Sequence, residues 1–513
     1  MLNREQYDMC NLFLAACLIL AVAWPASSFA QDAVDSKPAA ASEQEIEAGK
    51  ALYQKWCVNC HGEEGDGEGP AAEFVRPRPR NFRTGLFKIR STVGVLPSDQ
   101  DLFDIITRGM PGTSMPAWDK TLKEQERRQL VHYVKTFSRR FARATEPPQP
   151  LTIGSRVSSS AESIEQGKEL FRSIECFKCH GEEGRGDGPS APELTDDWGF
   201  PIRPANLTKP WNFRGGHAPE ELYRRLHAGV AGTPMPSFTD SLDNEKTWHL
   251  INYVMSLWPD PSGNHPPLKV VLKAHRVEDE IPDAPGDEFW NDYESFDYSL
   301  VGQVIEDPRQ FTPSVDMIQV QAIYNENELA LRLVWDDPTH SRPDPAAGVF
   351  EDAVAVQFPV EIPSGAKRPF FVMGDEQLGV QLLRWSTAGG EAGAALEQNG
   401  HGVHAVTTQP ADTQQTTAAG EFSHGQYRVV LKRPLTTGDA GDIQLEAGRF
   451  IPVAFFVWDG SNGETGSKMA ISHWYYFLME PPTPTTVYIY PAVGVIVAAG
   501  LQWWVIRRLR RKS

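Results

Sequence analysis

A chain of 513 residues and 57.1 kDa is too long for one compact core, and at roughly 100–200 residues per domain it predicts about three domains. With 41% hydrophobic and 23% charged residues the body is neither disordered nor polytopic, because only the two ends carry long apolar runs. A net charge of −18 excludes nucleic-acid binding as the main role, since a phosphate backbone would be repelled. The acid is unevenly placed: residues 31–261 hold 29 basic and 33 acidic side chains, whereas residues 262–486 hold 14 and 32. Such a surplus suits either a solvated acidic face or an electrostatic docking surface.

In chain order, residues 1–30 read as a secretory signal. Arg4 precedes an apolar stretch from Leu12 to Trp24, and the small residues Ser28 and Ala30 precede a cleavage point at Gln31. Cleavage at Cys17, as in a lipoprotein, is the alternative, but it leaves almost no apolar core before the cut. The signal would remove Cys10 and Cys17, so the mature chain keeps Cys57, Cys60, Cys176 and Cys179.

All four lie in Cys-x-x-Cys-His, as Cys57-Val58-Asn59-Cys60-His61 and Cys176-Phe177-Lys178-Cys179-His180, the spacing of covalent haem c attachment. Two thiols add to the haem vinyl groups and the adjacent histidine faces the iron. A thioredoxin-like pair, a zinc site or an exported disulfide are the competing readings, and none of them explains a histidine directly after both pairs.

The segments Ile46–Pro70 and Ile164–Pro189 repeat one another, sharing Gly49/Gly167, Cys-His-Gly-Glu-Glu-Gly and a Gly-x-Gly-Pro tail. The register continues downstream: His61 and His180 are 119 apart, Met115 and Met235 are 120 apart. Helical periodicity is expected over Gln44–Lys55 and Leu122–Phe137, and again over Ile164–Ser173 and Asp243–Trp258. Arg78-Pro79-x-Asn81 recurs as Arg203-Pro204-x-Asn206, which suits either the propionate side of a haem or loop packing. Thr145–Ser163 and Pro259–Pro267 read as linkers.

These two copies, about 42–145 and 160–260, resemble class I cytochrome c domains, which are all-α. The resemblance implies that a methionine of a Met-Pro loop is the sixth iron ligand, matching Met115 and Met235; Met110 lies near the first but stands where the second copy has Val230. His/Met ligation fills both axial positions and favours electron transfer over substrate chemistry, so the chain is expected to be a carrier and not an enzyme. A dihaem peroxidase, which needs an open iron, is disfavoured.

From about residue 268 to 480 the apolar period changes to two. Met317–Tyr324 and Leu329–Trp335 flank the turn-like Asn325-Glu326-Asn327, and Val354–Phe358, Tyr427–Leu431, Pro452–Trp458 and Ser472–Leu478 continue the series. An antiparallel β-sandwich is predicted, with Gly389–Gly420 as a surface excursion. Trp335-Asp336-Asp337, Glu351-Asp352 leading into Ala353–Phe358, Phe371-Val372-Met373-Gly374-Asp375 with Trp385, and Lys468 ahead of Ser472-His473-Trp474 resemble the γ subunits of the ethylbenzene, selenate, chlorate and dimethylsulfide dehydrogenase type.

That resemblance implies one non-covalent haem b held by Met373 and Lys468. His473 is the rival ligand, and His401, His404 and His424 are expected in solvent. It also implies partners: the molybdopterin catalytic subunit and iron–sulfur subunit of an oxidoreductase, nitrite oxidoreductase-like or nitrate reductase-like, with a soluble cytochrome or the membrane redox chain beyond. The alternative is a dihaem cytochrome c with a haem-free, carbohydrate-binding-like sandwich.

Finally, Val487–Ile506 is 20 residues without a charge, long enough as a helix to cross about 30 Å of hydrocarbon, and Arg507, Arg508, Arg510, Arg511 and Lys512 follow. The expected architecture is therefore two cytochrome c domains, a β-sandwich and one C-terminal transmembrane helix at 487–506, anchored in the cytoplasmic membrane with the body in the periplasm.

Overall fold

Caps and glycines set the helical elements of the first 260 residues. In a computed structural model the described residues are 41–363, 367–390, 393–482 and 486–511, so the expected signal at 1–30 lies outside them. The first copy holds α1 (Glu43–Trp56), α2 (Val58–His61), α3 (Asp99–Arg108), α4 (Glu124–Thr136) and α5 (Arg139–Arg143). The second holds α6 (Ala161–Ser173), α7 (Phe177–His180), α8 (Pro219–Ala228) and α9 (Asn244–Ser256). Ser98 and Asp101 form a reciprocal capping box on α3, Pro219 opens α8, and the Asp243 carboxylate accepts from Lys246 N–H at the start of α9.

In each copy the first and last long helices cross at a glycine. A Cβ on Gly49 would stand 2.1 Å from the Gln129 carbonyl oxygen, and one on Gly167 would stand 2.1 Å from that of His249. Only hydrogen at these positions lets α1 meet α4, and α6 meet α9, backbone to backbone. Tyr53, Leu130 and Val131 fill the space around the first crossing and Phe171, Leu250 and Ile251 that around the second, all buried.

The segment expected to link the copies is held on both sides and is not a free tether. Leu151 N–H donates to Ser91 and Val93 N–H to Gln149, while Trp248 and Asn252 side chains donate to the carbonyls of Gly154 and Val157. Proline and serine report here a lack of regular structure, while the contacts come from residues far along the chain.

Among the described residues fourteen strands follow: β1 (Val271–Arg276), β2 (Phe296–Ser299), β3 (Val301–Gly302), β4 (Met317–Tyr324), β5 (Glu328–Asp336), β6 (Ala353–Pro359), β7 (Val380–Ser386), β8 (Ala394–Gly400), β9 (Val406–Thr408), β10 (Thr417–Ser423), β11 (Gln426–Pro434), β12 (Phe450–Trp458), β13 (Ala470–Ile471) and β14 (Tyr475–Met479). One sheet runs β10-β11-β5-β4-β1-β14-β12 and the other β12-β6-β7-β8-β9. β12 serves both: Phe450–Val453 pairs with β14, and Ala454–Trp458 with β6. Side chains alternate across it, with Val453, Phe455 and Val457 in the core between the sheets and Ala454, Phe456 and Trp458 in a second apolar cluster on the outer face.

Two expectations change. The sandwich is not purely antiparallel, because β1 lies parallel to both β4 and β14. It enters straight from the second helical copy with no hairpin partner, and the gap between those two strands is where its backbone groups are paired. Gly389–Gly420 lies mostly half-buried or exposed, as expected, but it is not irregular, since it contributes β8, β9 and most of β10 to the sheets. The segment is poor in large apolar residues because Trp385 fills the space: a Cβ on Gly393 or Gly420 would come within 2.2 Å of its ring. Of its buried polar residues, Glu397 accepts at its carboxylate from the Thr416 hydroxyl and Gln415 N–H, and its own N–H donates to the Gln414 side-chain oxygen. The chain ends in α10 (Thr486–Arg510), which holds the apolar span Ile489–Arg510, long and apolar enough to cross a membrane.

Candidate functional site

Each Cys-x-x-Cys-His motif closes one helical turn. Cys60 and His61 N–H groups both donate to the Cys57 carbonyl, at 3.2 and 2.9 Å, and Cys179 and His180 repeat this on Cys176 at the same distances. The turn therefore brings both sulfurs and the following histidine together. Glycines close it: a Cβ on Gly69 or Gly188 would meet the carbonyl oxygens of the turn at 2.3–2.4 Å. Each Gly N–H instead donates to the second cysteine's carbonyl. None of the four cysteines is in a disulfide among the described residues. Burial, with a smaller push from the partner cysteine, raises Cys57 to about 12; burial likewise raises Cys176 to about 12.

The two histidines are fixed in the same way. His61 Nδ1–H donates to the Arg80 carbonyl at 3.2 Å, and His180 Nδ1–H to the Ala205 carbonyl at 2.9 Å. Burial lowers the His61 pKa to about 4 and lowers that of His180 as well, so both rings are neutral. With Nδ1 committed as donor, Nε2 presents its lone pair, the tautomer that an iron ligand needs. Arg80 and Ala205 are the central residues of the two Arg-Pro-x-Asn segments. The asparagines hold these segments by accepting from Arg83 N–H and Thr208 N–H. The repeat thus serves histidine orientation, a role that its sequence left open.

The two Met-Pro loops also superimpose in their bonds. Met110 N–H donates to the Met115 carbonyl and Val230 N–H to that of Met235, both at 3.1 Å, while Thr113 and Thr233 hydroxyls accept from Met115 and Met235 N–H. Gly109 and Gly229 let each loop fold against a helix end, since a Cβ there would meet loop backbone at 2.6–2.8 Å. Met110 stands in the place of Val230, and Met115 and Met235 are half-buried.

Arg78 Nε, Arg80 Nη1 and Arg90 Nη1 are buried without an acceptor among the described residues. Burial and the neighbouring Arg214 and Arg80 charges lower Lys88 to about 7. A group bringing carboxylates to this face would satisfy donors that the polypeptide does not, so the residues present fit a haem with its propionates.

Met373 belongs to the outer apolar cluster of the sandwich, and Lys468 adjoins it in sequence through Met469. Met373 is buried there with Val372, Met469, Phe456 and Trp458, against the small side chains of Ala353, Ala355 and Ala454. Its φ of +59° is left-handed, which is unfavourable for a residue with a long side chain. The turn is held by its carbonyl, which accepts from Gly402 N–H at 2.8 Å. Lys468 is half-buried and directly precedes Met469 of the same cluster; among the described residues its ammonium makes no ion pair or hydrogen bond. A thioether, an amine and a bed of alanines suit a flat apolar cofactor. His473 is exposed, its ring tilted by 38° against that of Tyr475 with centroids 4.1 Å apart, and it is the neighbouring Trp474 that packs on the cluster. His401, His404 and His424 are exposed as expected.

Contacts among the three regions were not legible in the sequence. Arg203 bonds Asp459 at 3.1 Å, Asn206 bonds Asp336 at 2.9 Å, and buried Lys209 lies 2.8 Å from Asp316 and 3.2 Å from Asp336. Part of the acidic surplus is thus an internal docking surface. Between the helical copies, the Arg80 guanidinium lies over Trp198 and reaches the Ala231 carbonyl, within the Met235 loop.

Comparison with known proteins agrees with this division. Residues 44–134 match the family of cytochrome c oxidase, cbb3-type, subunit III, residues 164–258 match cytochrome c, and residues 287–403 and 377–470 match ethylbenzene dehydrogenase. A putative respiratory nitrate reductase heme subunit of Haloferax mediterranei is 29% identical over 219 residues, covering 43% of this chain and 74% of that protein. The chlorate reductase subunit gamma of Ideonella dechloratans is 30% identical over 165 residues, covering 32% of this chain and 65% of its own length. A chain of the Kuenenia stuttgartiensis reducing HAO-like protein complex is 44% identical over 41% of this chain and 96% of its own, with a TM-score of 0.40. The protein is therefore a haem-binding electron-transfer subunit, accessory rather than catalytic, that joins tandem cytochrome c regions to an ethylbenzene dehydrogenase-like region and is related to the nitrate and chlorate reductase haem and γ subunits.

Proposed function

We propose that the chain is a three-haem electron relay, anchored in the cytoplasmic membrane by its C-terminal helix with its body in the periplasm. Haem c is attached at Cys57 and Cys60, with His61 and Met115 as iron ligands, and at Cys176 and Cys179, with His180 and Met235. One non-covalent haem b is held by Met373 and Lys468. The observation that carries the reading is the paired histidine arrangement, in which both Nδ1–H groups are committed to a carbonyl and both Nε2 atoms are left as ligands.

Bound haem supplies a one-electron iron couple, which His/Met ligation raises in potential. The chain's own residues do the rest. The Arg80 and Ala205 carbonyls hold the imidazoles, the Met-Pro loops present sulfur, and the thiols tether. Arg203, Asn206 and Lys209 seat the second copy on the sandwich, and Arg80 joins the first copy's histidine loop to the second copy's methionine loop. The first copy also meets the sandwich directly, with Phe74 and Phe311 ring centroids 5.0 Å apart, so these contacts join all three regions. The printed names of the relatives support a molybdenum oxidoreductase of the nitrate or chlorate reductase type as partner, with its molybdopterin and iron–sulfur subunits on the sandwich side and a soluble cytochrome or the membrane chain at the other end.

The test is haem stoichiometry on the full chain extracted in mild detergent, together with the subunits that co-purify. Two haem c and one haem b per chain are expected. Two haem c, no haem b and retention on polysaccharide would establish the carbohydrate-binding alternative instead.

A further inference from the structure

Where Asp337, Asp352 and Asp459 converge, the sandwich holds three carboxylates that the haem sites do not use. Asp337 directly follows β5, Asp352 directly precedes β6 and Asp459 directly follows β12, so strand ends of both sheets meet at this point. All three residues are fully buried, and one oxygen from each lies within 4.8 Å of the others. Opposite oxygens around a calcium ion, at about 2.3–2.6 Å each, stand roughly 4.6–5.2 Å apart.

Hydrogen bonds do not balance this charge. Asp352 accepts from Ser341 N–H, the Tyr427 hydroxyl and Gly460 N–H, all neutral donors. Asp459 accepts from Ser461 and Asn462 N–H and the Ser461 hydroxyl, and Arg203 is its one cation. Asp337 gives Oδ1 to the Thr339 N–H and hydroxyl, while its Oδ2 is buried without a partner among the described residues.

A second, separate group points into the same place. Ser341 is only 4% exposed, and its Oγ, which completes no well-formed hydrogen bond among the described residues, lies beside the Asp352 carboxylate that its own N–H already bonds and helps hold that carboxyl down. A buried hydroxyl oxygen and a buried carboxylate oxygen, neither in a well-formed hydrogen bond, form with two further carboxylates an oxygen-only donor set with two negative charges left after Arg203. Hard oxygen donors of this number suit a divalent alkaline-earth ion.

We propose that Asp337, Asp352 and Asp459, with Ser341, bind one calcium ion that ties the two sheets at their strand ends. The same ion fixes the start of the loop from Asp459 to Lys468 and the carboxylate on which Arg203 of the second helical copy docks. The site is independent of the haem reading, and its test is independent too.

Full-length protein in detergent, passed through metal-free buffer, is expected to carry one calcium per chain by elemental analysis. Removing it with a chelator should lower the unfolding midpoint of the sandwich by about 8–16 °C at a starting calcium concentration near 1,000 times Kd, and added calcium alone should restore it. Asp337→Asn should abolish calcium retention and make the midpoint insensitive to chelator. Ser341→Ala, the milder change, should keep the fold, judged by gel filtration, and weaken calcium affinity several-fold. A protein that retains no calcium and ignores the chelator overturns the proposal. So does an Asp337→Asn variant with an unchanged midpoint in calcium, because the amide then replaces a protonated acid, and so does stoichiometric recovery of a different metal.

Discussion

Arg80 works at both ends: its carbonyl orients His61 and its guanidinium reaches the methionine loop of the other copy. At this scale the thiols make the plainest prediction. Denaturing gels stained for haem peroxidase activity should keep a signal in Cys57→Ala/Cys60→Ala and in Cys176→Ala/Cys179→Ala, and lose it only when the two are combined. Signal in the combined variant would reject covalent attachment. The second prediction concerns the sandwich. Met373→Ala or Lys468→Ala should each shift the haem b spectrum toward high spin or lose the cofactor, whereas His473→Ala should leave it unchanged, because His473 is exposed and away from the cluster that buries Met373. The reverse pattern would make His473 the ligand.

Among elements, the helix crossings carry the clearest consequence. Valine at Gly49 or Gly167 would place Cβ 2.1 Å from a carbonyl oxygen of the facing helix, so the helices must separate. The expected loss is about 1–3 kcal/mol or more of stability in the affected copy, read as a lower unfolding midpoint and reduced haem incorporation in that copy alone. Equal loss in both copies would mean that they fold as one unit. At the other end, α10 supplies the apolar span, and deleting Val487–Ser513 should release the protein from membranes when its partners are absent. Continued sedimentation with membranes would place the anchor elsewhere.

For the whole molecule, the ion pairs beneath the second copy decide whether sandwich and helical regions act together. Burial alone would lower Lys209, but Asp316 and Asp336 outweigh it and hold its pKa above the ordinary lysine value. Burial pushes Asp316 up, and the Lys209 ammonium more than reverses this, holding it below the ordinary carboxylate value of 3.8. A carboxylate lowered in the folded state contributes stability that is present above the ordinary value and lost as pH falls through the lowered one. Docking should therefore persist at neutral pH and fail in strong acid. Lys209→Met removes the buried cation from two carboxylates that keep Asn212, Asn206 and Arg185 as partners and should cost about 1–3 kcal/mol, read as faster proteolysis within 259–267 at neutral pH. Wild-type resistance in the variant would show that other contacts hold the regions.

Local chemistry was open to reading from the chain alone. Two Cys-x-x-Cys-His turns and a hairpin at Asn325–Asn327 each lie within one or two turns or strands, where spacing dictates geometry, and the repeat offset by about 120 residues and the uncharged C-terminal run are patterns of residue order alone. What needed the folded molecule involves partners distant in sequence. The carbonyl that holds each histidine leaves no side-chain signature, and β1 finds its parallel partners only when both neighbouring strands exist. Gly389–Gly420 reads as a loop because the bulk packed over its glycines belongs to Trp385. Asp337, Asp352 and Asp459 stand far apart in the sequence, with no metal-ligand spacing, in a chain rich in acids. Only the meeting of three strand ends buries them together, and that burial turns common residues into a site that demands a cation.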